Sequence, residues 1–295
     1  MERGNTMFKT GVISDEISQD IGIAIELAKK FSLDAIEIRS VFDKGPFDLD
    51  KDDILHIKNA VFNAGMKISA ISAPFYKCDI NNQDEIKQNL QGLEKCIKMA
   101  EIFETNMIRG FTFWRSGTLA SCLDQIVDLY QKPIAMLKQN GMVITLESDP
   151  SVNTSNAFEL AEVIEAIDAP QLKALWDPGN NIYTPGAEIP YPDGYNRIKK
   201  HIAHVHLKDA VLDLDGTAVG CRFGDGNVDF KGQLQSLLDG GYKGYVVMET
   251  HYRKARTLSK DVLERPGGAN FSADGYEPTC ESLESLMTMM QGLKE

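Results

Sequence analysis

The sequence predicts an α/β fold, a single (β/α)8 TIM barrel, and three observations carry that expectation. Eight short β-rich runs alternate with eight longer amphipathic stretches. The helical stretches are long enough to serve as crossovers, which pair successive strands in parallel. The chain has 295 residues, the usual size of one such barrel, so residues 1–295 are expected to form one domain. A doubly wound open sheet is the structural rival.

The expected strands are Phe8 to Ser14, Asp34 to Arg39, Met66 to Ala73, Asn106 to Phe111, Met142 to Glu147, Leu172 to Trp176, Ile202 to Leu207 and Gly244 to Glu249. Between them, helical periodicity predicts helices at about 20–31, 50–64, 83–103, 118–139, 154–167, 192–200 and 230–239, with a last one at about 277–292. Asn63-Ala-Gly65, Asn140-Gly141 and Asp239-Gly-Gly241 each stand where a helix must stop before a strand, and a residue in the left-handed conformation is expected there. Two stretches exceed a minimal barrel, a Gly-rich one at about 210–229 and another at 250–275. Both follow strand C-termini, so both are expected to lie over the active-site face.

Composition narrows the function. A 43% hydrophobic and 25% charged chain is that of a soluble globular protein, and no apolar run approaches the roughly 20 residues that span a bilayer. The N-terminal MERGNTMFKT has no apolar segment of the secretory kind, and Met7 offers an alternative start, so a cytoplasmic protein is expected. The net charge of −12 repels a nucleic-acid backbone, and no Lys/Arg cluster with interleaved aromatics offsets it. Five scattered cysteines, without a CxxC pair, argue against both a disulfide framework and a thiolate zinc site. A small-molecule substrate is the expected partner, and helices on the barrel exterior leave room for a homo-oligomer.

Four polar residues fall at, or one past, the ends of strands five to eight: Glu147 in VITLESDP, Asp177 in ALWDPGNN, His206 in HIAHVHLKD and Glu249 in YVVMETHY. A barrel gathers these ends around one mouth. Singly, a strand-end carboxylate is as readily a helix cap or an ion-pair partner; four at consecutive strand ends point to a metal site. Three carboxylates and an imidazole suit one divalent ion: Mn2+, Zn2+, Mg2+ or Co2+. His204 shares the side of His206 but lies one layer deeper, as a packed or supporting histidine.

Such a site has a recognisable chemistry. A metal that binds a vicinal carbonyl and hydroxyl polarises the carbonyl and stabilises the enediolate left when the α-proton departs. Two facing carboxylates can remove that proton from one side and return it on the other.

The runs GVISDEIS, DAIEIRS, ISAISAP, VITLESD, ALWDPGN, HVHLKD and VVMETH occur in that order between about residues 8 and 250. Together they resemble the xylose isomerase-like sugar-phosphate isomerase/epimerase superfamily, which includes ketose 3-epimerases, hydroxypyruvate isomerase, inosose dehydratase and endonuclease IV. The resemblance implies a metal held by Glu147, Asp177, His206 and Glu249, with Glu147 and Glu249 also acting as the acid/base pair. It implies a metal-dependent isomerase or epimerase of a sugar or sugar phosphate. The alternatives are an inosose dehydratase-like lyase and, against the acidic charge and the five histidines, an endonuclease IV-like phosphodiesterase. A barrel that binds a metabolite without turnover is a further alternative.

Two positions depart from the ketose 3-epimerases this chain resembles, which have a His three residues after the strand-six Asp and an Arg six after the metal His. Here these are Asn180 and Leu212. Asn180 is either a hydrogen-bonding partner of a substrate hydroxyl or a helix N-cap, with Gly179 serving the turn. Lys208, with the inward parity of His206, is expected to meet a substrate oxygen or to pair with a carboxylate, Asp209 or Glu249. Arg39, Arg109 and Arg222 are candidates for an anionic substrate group, and Glu16 and Glu37 for the rim of the mouth. His251 and Arg253 read as solvated loop residues, and Phe113 and Trp114 as a wall against a sugar face or as core.

Overall fold

A computed structural model describes residues 8–294, so the N-terminal segment read for targeting, Met7 included, lies largely outside the described residues. Eight parallel strands close into a barrel: β1 (Lys9–Ile13), β2 (Ala35–Ile38), β3 (Lys67–Phe75), β4 (Met107–Gly110), β5 (Val143–Glu147), β6 (Leu172–Trp176), β7 (Ile202–Leu207) and, after an added hairpin, β10 (Tyr245–Met248). β10 hydrogen-bonds both β7 and β1, which seals the ring and excludes the open sheet. Each expected strand is present within two residues of its sequence-based limits.

The intervening helices are α1 (Ile21–Lys30), α2 (Lys51–Asn63), α3 (Gln83–Phe103), α4 (Leu123–Asn140) and α5 (Ala157–Ile167). Asp20, Asp50, Asn82 and Asn156 cap the starts of α1, α2, α3 and α5 by accepting backbone N–H bonds. Gly65, Gly141 and Gly241 have φ of 78°, 66° and 71°, the left-handed stops the sequence called for. Pro133 lies inside α4 and has no N–H for the carbonyl of Leu129; Tyr76 donates its hydroxyl to that carbonyl instead, at 3.1 Å.

The helix expected at 192–200 is the one that fails. Pro190–Gly194 form a wide turn, and α-helix is confined to a short α6 (Gly179–Ile182) after β6 and α7 (Tyr195–Ile198) before β7. Pro192 has no N–H to donate and disfavours helical geometry in Tyr191, which is extended at φ −135° and ψ 129°.

The two extra stretches carry structure of their own. After β7 the chain forms an antiparallel hairpin of β8 (Asp209–Leu212) and β9 (Ala218–Cys221), followed by α8 (Phe230–Asp239). Beyond β10 come α9 (Lys260–Glu264), α10 (Gly268–Ser272) and the closing α11 (Tyr276–Gln291). Among the described residues, no helix is long and apolar enough to cross a membrane.

Candidate metal centre

Alternation along a strand decides which side chains enter the barrel. Leu146 and Val205 pack outward into the apolar layer beneath the helices, while Glu147, His204 and His206 point inward. Glu147, Asp177, His206 and Glu249 thereby converge, each offering one ligand atom, all within 4.8 Å of one another and all buried. The Nδ1 of His206 lies 3.5 Å from Glu147 Oε1 and 3.5 Å from Glu249 Oε2.

Two further groupings of acids and histidines lie against this one. In Glu37, His204 and His206, the carboxylate already bonds Nε2 of both imidazoles, at 2.6 and 3.0 Å. In Glu16, Glu249 and His251, the Arg39 guanidinium takes the acids, 2.7 Å from Glu16 Oε1 and 2.5 Å from Glu249 Oε1. The four-residue group gathers four ligand-type side chains, and two of its buried polar atoms lack hydrogen-bond partners. His206 Nδ1 has none, and Asp177 Oδ2 meets Lys208 Nζ at 2.6 Å without hydrogen-bond alignment.

The electrostatics describe a site short of positive charge. Burial, with Glu249 and Glu147 nearby and against the opposing pull of Lys208, pushes Asp177 up to about 7. Burial alone would expel a proton from His206; Glu37, Glu147 and Glu249 outweigh it and drive the imidazole well above its ordinary range. A divalent cation would supply the missing charge, and carboxylate oxygens with an imidazole nitrogen are donors such an ion accepts.

Around these four, a collar of cations fixes the acids. Arg109, in β4, donates to Glu147 Oε2 at 3.1 Å and to the carbonyls of Ser72 and Ala73. Burial raises the Glu147 carboxyl, but Arg109 and His206 together more than offset it, and the group titrates below the ordinary range. Glu249 is likewise held well below by Lys208 and His251 against its burial.

Asn180 donates to the Ser148 carbonyl at 2.8 Å and to Glu147 Oε1 at 3.4 Å. It is the second residue of α6, whose N-cap position is Pro178, so the capping reading is corrected. Gly179 is required by contact: a Cβ there would stand 2.3 Å from the Lys208 carbonyl.

Several sequence-based placements are revised. Lys208 pairs with Asp177 and Glu249, the latter at 3.0 Å, and not with Asp209, whose carboxylate accepts the backbone N–H groups of Gly224 and Gly226. Glu37 is fully buried beneath His206, with Ser72 also bonded to it, and does not line the mouth as a substrate group would. Glu16 is equally buried, accepting from Arg39 and Arg253. Arg222 stays outside the cleft, on an exposed ion pair with Asp225 three residues on.

His251 and Arg253 are buried and line the cleft, contrary to the solvated reading. His251 has the strained φ of 44°, with its N–H held by Glu16 Oε2 at 3.1 Å, and its Nε2 lies 3.4 Å from Glu249 Oε1. Their signal in sequence was faint: they matter because Phe271, far along the chain, packs over His251, Arg39 and Arg253. Trp114 lines the cleft, whereas Phe113 is core, stacked on Tyr76.

Residues 25–276 match the model of the xylose isomerase-like TIM barrel family. Inosose dehydratase of Klebsiella pneumoniae is 30% identical over 125 residues, 38% of this chain; the match spans only 42% of that protein's own length. Among solved structures, a xylose isomerase domain protein from Planctomyces limnophilus superposes with a TM-score of 0.73 at 16% identity, covering 97% of this chain and 99% of that one. A D-allulose 3-epimerase from Methylomonas sp. gives 0.71 at 15% identity, covering 96% and 98%.

Proposed function

The chain belongs to the xylose isomerase-like TIM barrel family, and from that premise we propose that it is a divalent-metal-dependent isomerase or epimerase of a sugar or related keto compound. The observation that carries the reading is the convergence of Glu147, Asp177, His206 and Glu249 on one point, with the unpartnered Nδ1 of His206 facing it. A divalent ion bound there would polarise a carbonyl and ease loss of the neighbouring α-proton to give an enediolate.

The protein's own groups perform the proton transfers. Glu147 ends β5 and Glu249 directly follows β10, with β6 and β7 between these strands, so they approach a bound ring from different sides. Both titrate below the ordinary carboxylate range, Glu147 through Arg109 and His206 and Glu249 through Lys208, His251 and His206, which favours the ionised form a general base requires. For inversion, one carboxylate removes the α-proton while the other, having taken a proton from solvent, gives it to the opposite face; return of the abstracted proton to the neighbouring carbon by the first carboxyl isomerises the sugar. Lys208 and Asn180, both at the cleft wall, are placed to hold substrate oxygens beside these carboxylates.

A lyase is the second reading, favoured by the likeness to inosose dehydratase. The same proton loss, with a hydroxyl β to the carbonyl, would end in departure of water rather than reprotonation. Metal-loaded enzyme incubated with ketoses in D2O distinguishes them. Deuterium at the α-carbon with no loss of water supports the isomerase, an absorbing enone product supports the lyase, and neither in enzyme shown to hold metal sinks both.

A further inference from the structure

We propose that Arg39 is a positioning residue that divides the labour of the two oxygens of Glu249: it holds Oε1 back, so that a bound ion meets Oε2 alone and Oε1 is left to move the proton. The inference rests on the enediolate reading above. Three observations carry it: the three partners of Arg39, the placement of the Glu249 oxygens, and a brace supplied by α10.

Arg39 lies directly after β2 and is buried. Its guanidinium gives one nitrogen to each of three carboxylates: Nε to Asp15 at 2.9 Å, Nη2 to Glu16 at 2.7 Å and Nη1 to Glu249 Oε1 at 2.5 Å. Its sequence position suggested a substrate anion; these partners are the protein's own acids. A lysine has a single nitrogen on a flexible stem, whereas the planar fork of an arginine fixes direction as well as charge.

Glu249 Oε2 stands 3.0 Å from Lys208 Nζ and 3.5 Å from His206 Nδ1, on the side where the four ligand-type groups converge. Oε1 stands on Arg39, with Arg109 Nη1 4.0 Å away. The same division recurs at Glu147, where Oε2 accepts from Arg109 and Oε1 faces His206 Nδ1 at 3.5 Å. Charge balance alone does not require two arginines from different strands to orient two carboxylates alike. A carboxylate able to turn can chelate a cation with both oxygens, and it then has none left to take a proton from carbon. With Oε1 held by Arg39, the proton of the substrate C–H adds to Oε1 and the C–H electron pair passes into the enediolate. The second lone pair of Oε1 keeps the Arg39 N–H bond.

Arg39 is itself braced. The Phe271 ring of α10 lies 4.6 Å from its guanidinium and 5.0 Å from that of Arg253. α10 is tied to the strand ends it covers: Ser272 donates to the Asp15 carbonyl at 2.8 Å, and the Gly268 N–H to Ser40 Oγ at 2.9 Å. The segment that Glu249 begins thus returns, through Phe271 and Arg39, to set the direction of the Glu249 side chain.

The test uses Arg39→Lys, which keeps a cation beside the three acids, and reads metal and turnover separately. Mn2+ affinity by calorimetry should stay within about threefold of the wild type, because the charge is retained. With Mn2+ bound, kcat for solvent deuterium entry into a ketose should fall about 10²-fold with KM little changed. Co2+ in place of Mn2+ should lose visible absorption intensity, since a second Glu249 oxygen raises its coordination number. Affinity and kcat lost together would make Arg39 a merely structural residue. Full turnover with the ion bound, or an unchanged Co2+ spectrum, also overturns the proposal. If Arg39→Lys does not fold, Phe271→Leu leaves the ion pairs of Arg39 in place and should show the same spectral change with kcat about tenfold lower; a wild-type spectrum there overturns the proposal. If the wild type exchanges no deuterium with any ketose, the enediolate reading fails, and the Co2+ spectrum alone decides how the oxygens are divided. Binding of neither ion overturns both readings.

Discussion

His206 keeps its Nδ1 turned toward Glu147 and Glu249 because Glu37 Oε1 engages the opposite ring nitrogen, Nε2, at 3.0 Å. Glu37 also bonds Nε2 of His204 and the hydroxyl of Ser72, so its own position is fixed from three sides. A carboxylate placed behind a metal-binding imidazole orients the ring and makes it a better donor. Glu37→Gln should therefore weaken Mn2+ binding by about 10–100-fold while the circular dichroism spectrum stays the same. Unchanged affinity by calorimetry would show that His206 needs no such support.

Glu147 and Glu249 carry two duties in the proposed reaction, and their replacement by Gln should separate them. Either variant is expected to lose about 10²–10⁴ in the rate of solvent deuterium entry, the usual contribution of a positioned acid or base. Metal affinity should fall far less, since Asp177, His206 and the remaining glutamate still converge. Full turnover by either variant with metal bound would remove that residue from proton transfer.

Lys208 would compete with a bound divalent ion for the same oxygens. Its ammonium stands 2.6 Å from Asp177 Oδ2 and 3.0 Å from Glu249 Oε2, the atom that faces His206. Without it, the carboxylates lose their local counter-charge and should draw the metal more strongly, by roughly tenfold for Lys208→Met in a chelator competition. The metal-free variant should also melt at a lower temperature, since like charges remain buried together. Weaker metal binding would mean that Lys208 instead orients the ligands.

The barrel and the convergence of Glu147, Asp177, His206 and Glu249 were legible because both follow local rules. Strand and helix periodicities set the eight units, and Glu249, directly after the last barrel strand, falls at the mouth where such strand ends meet. Depth within the barrel was not legible. Glu37 stands one residue before the end of β2, whereas Glu147 is the last residue of β5, and the Glu37 side chain is sealed beneath His206. Nor was closure from above: Arg253 reads as a loop cation until Phe271 and the Phe271 carbonyl, eighteen residues on, are seen to hold it. Arg222 had a visible warning, since Asp225 stands three residues away in the same turn.

Pro133 and Tyr76 form a pair whose logic is purely structural and open to a stability test. The Leu129 carbonyl, which a helix would normally satisfy from residue 133, accepts from the Tyr76 hydroxyl across the interface with β3. Tyr76→Phe keeps the ring stack with Phe75 and Phe113 but strands that carbonyl, at a cost of about 1–3 kcal/mol. Restoring an N–H with Pro133→Ala gives Leu129 its helical partner, so the same Tyr76→Phe change should cost markedly less in that background. A double-mutant cycle by urea denaturation should then show about 1 kcal/mol of coupling between positions 76 and 133. Additive effects at the two positions would mean that the Tyr76 hydroxyl does not substitute for the missing helical bond.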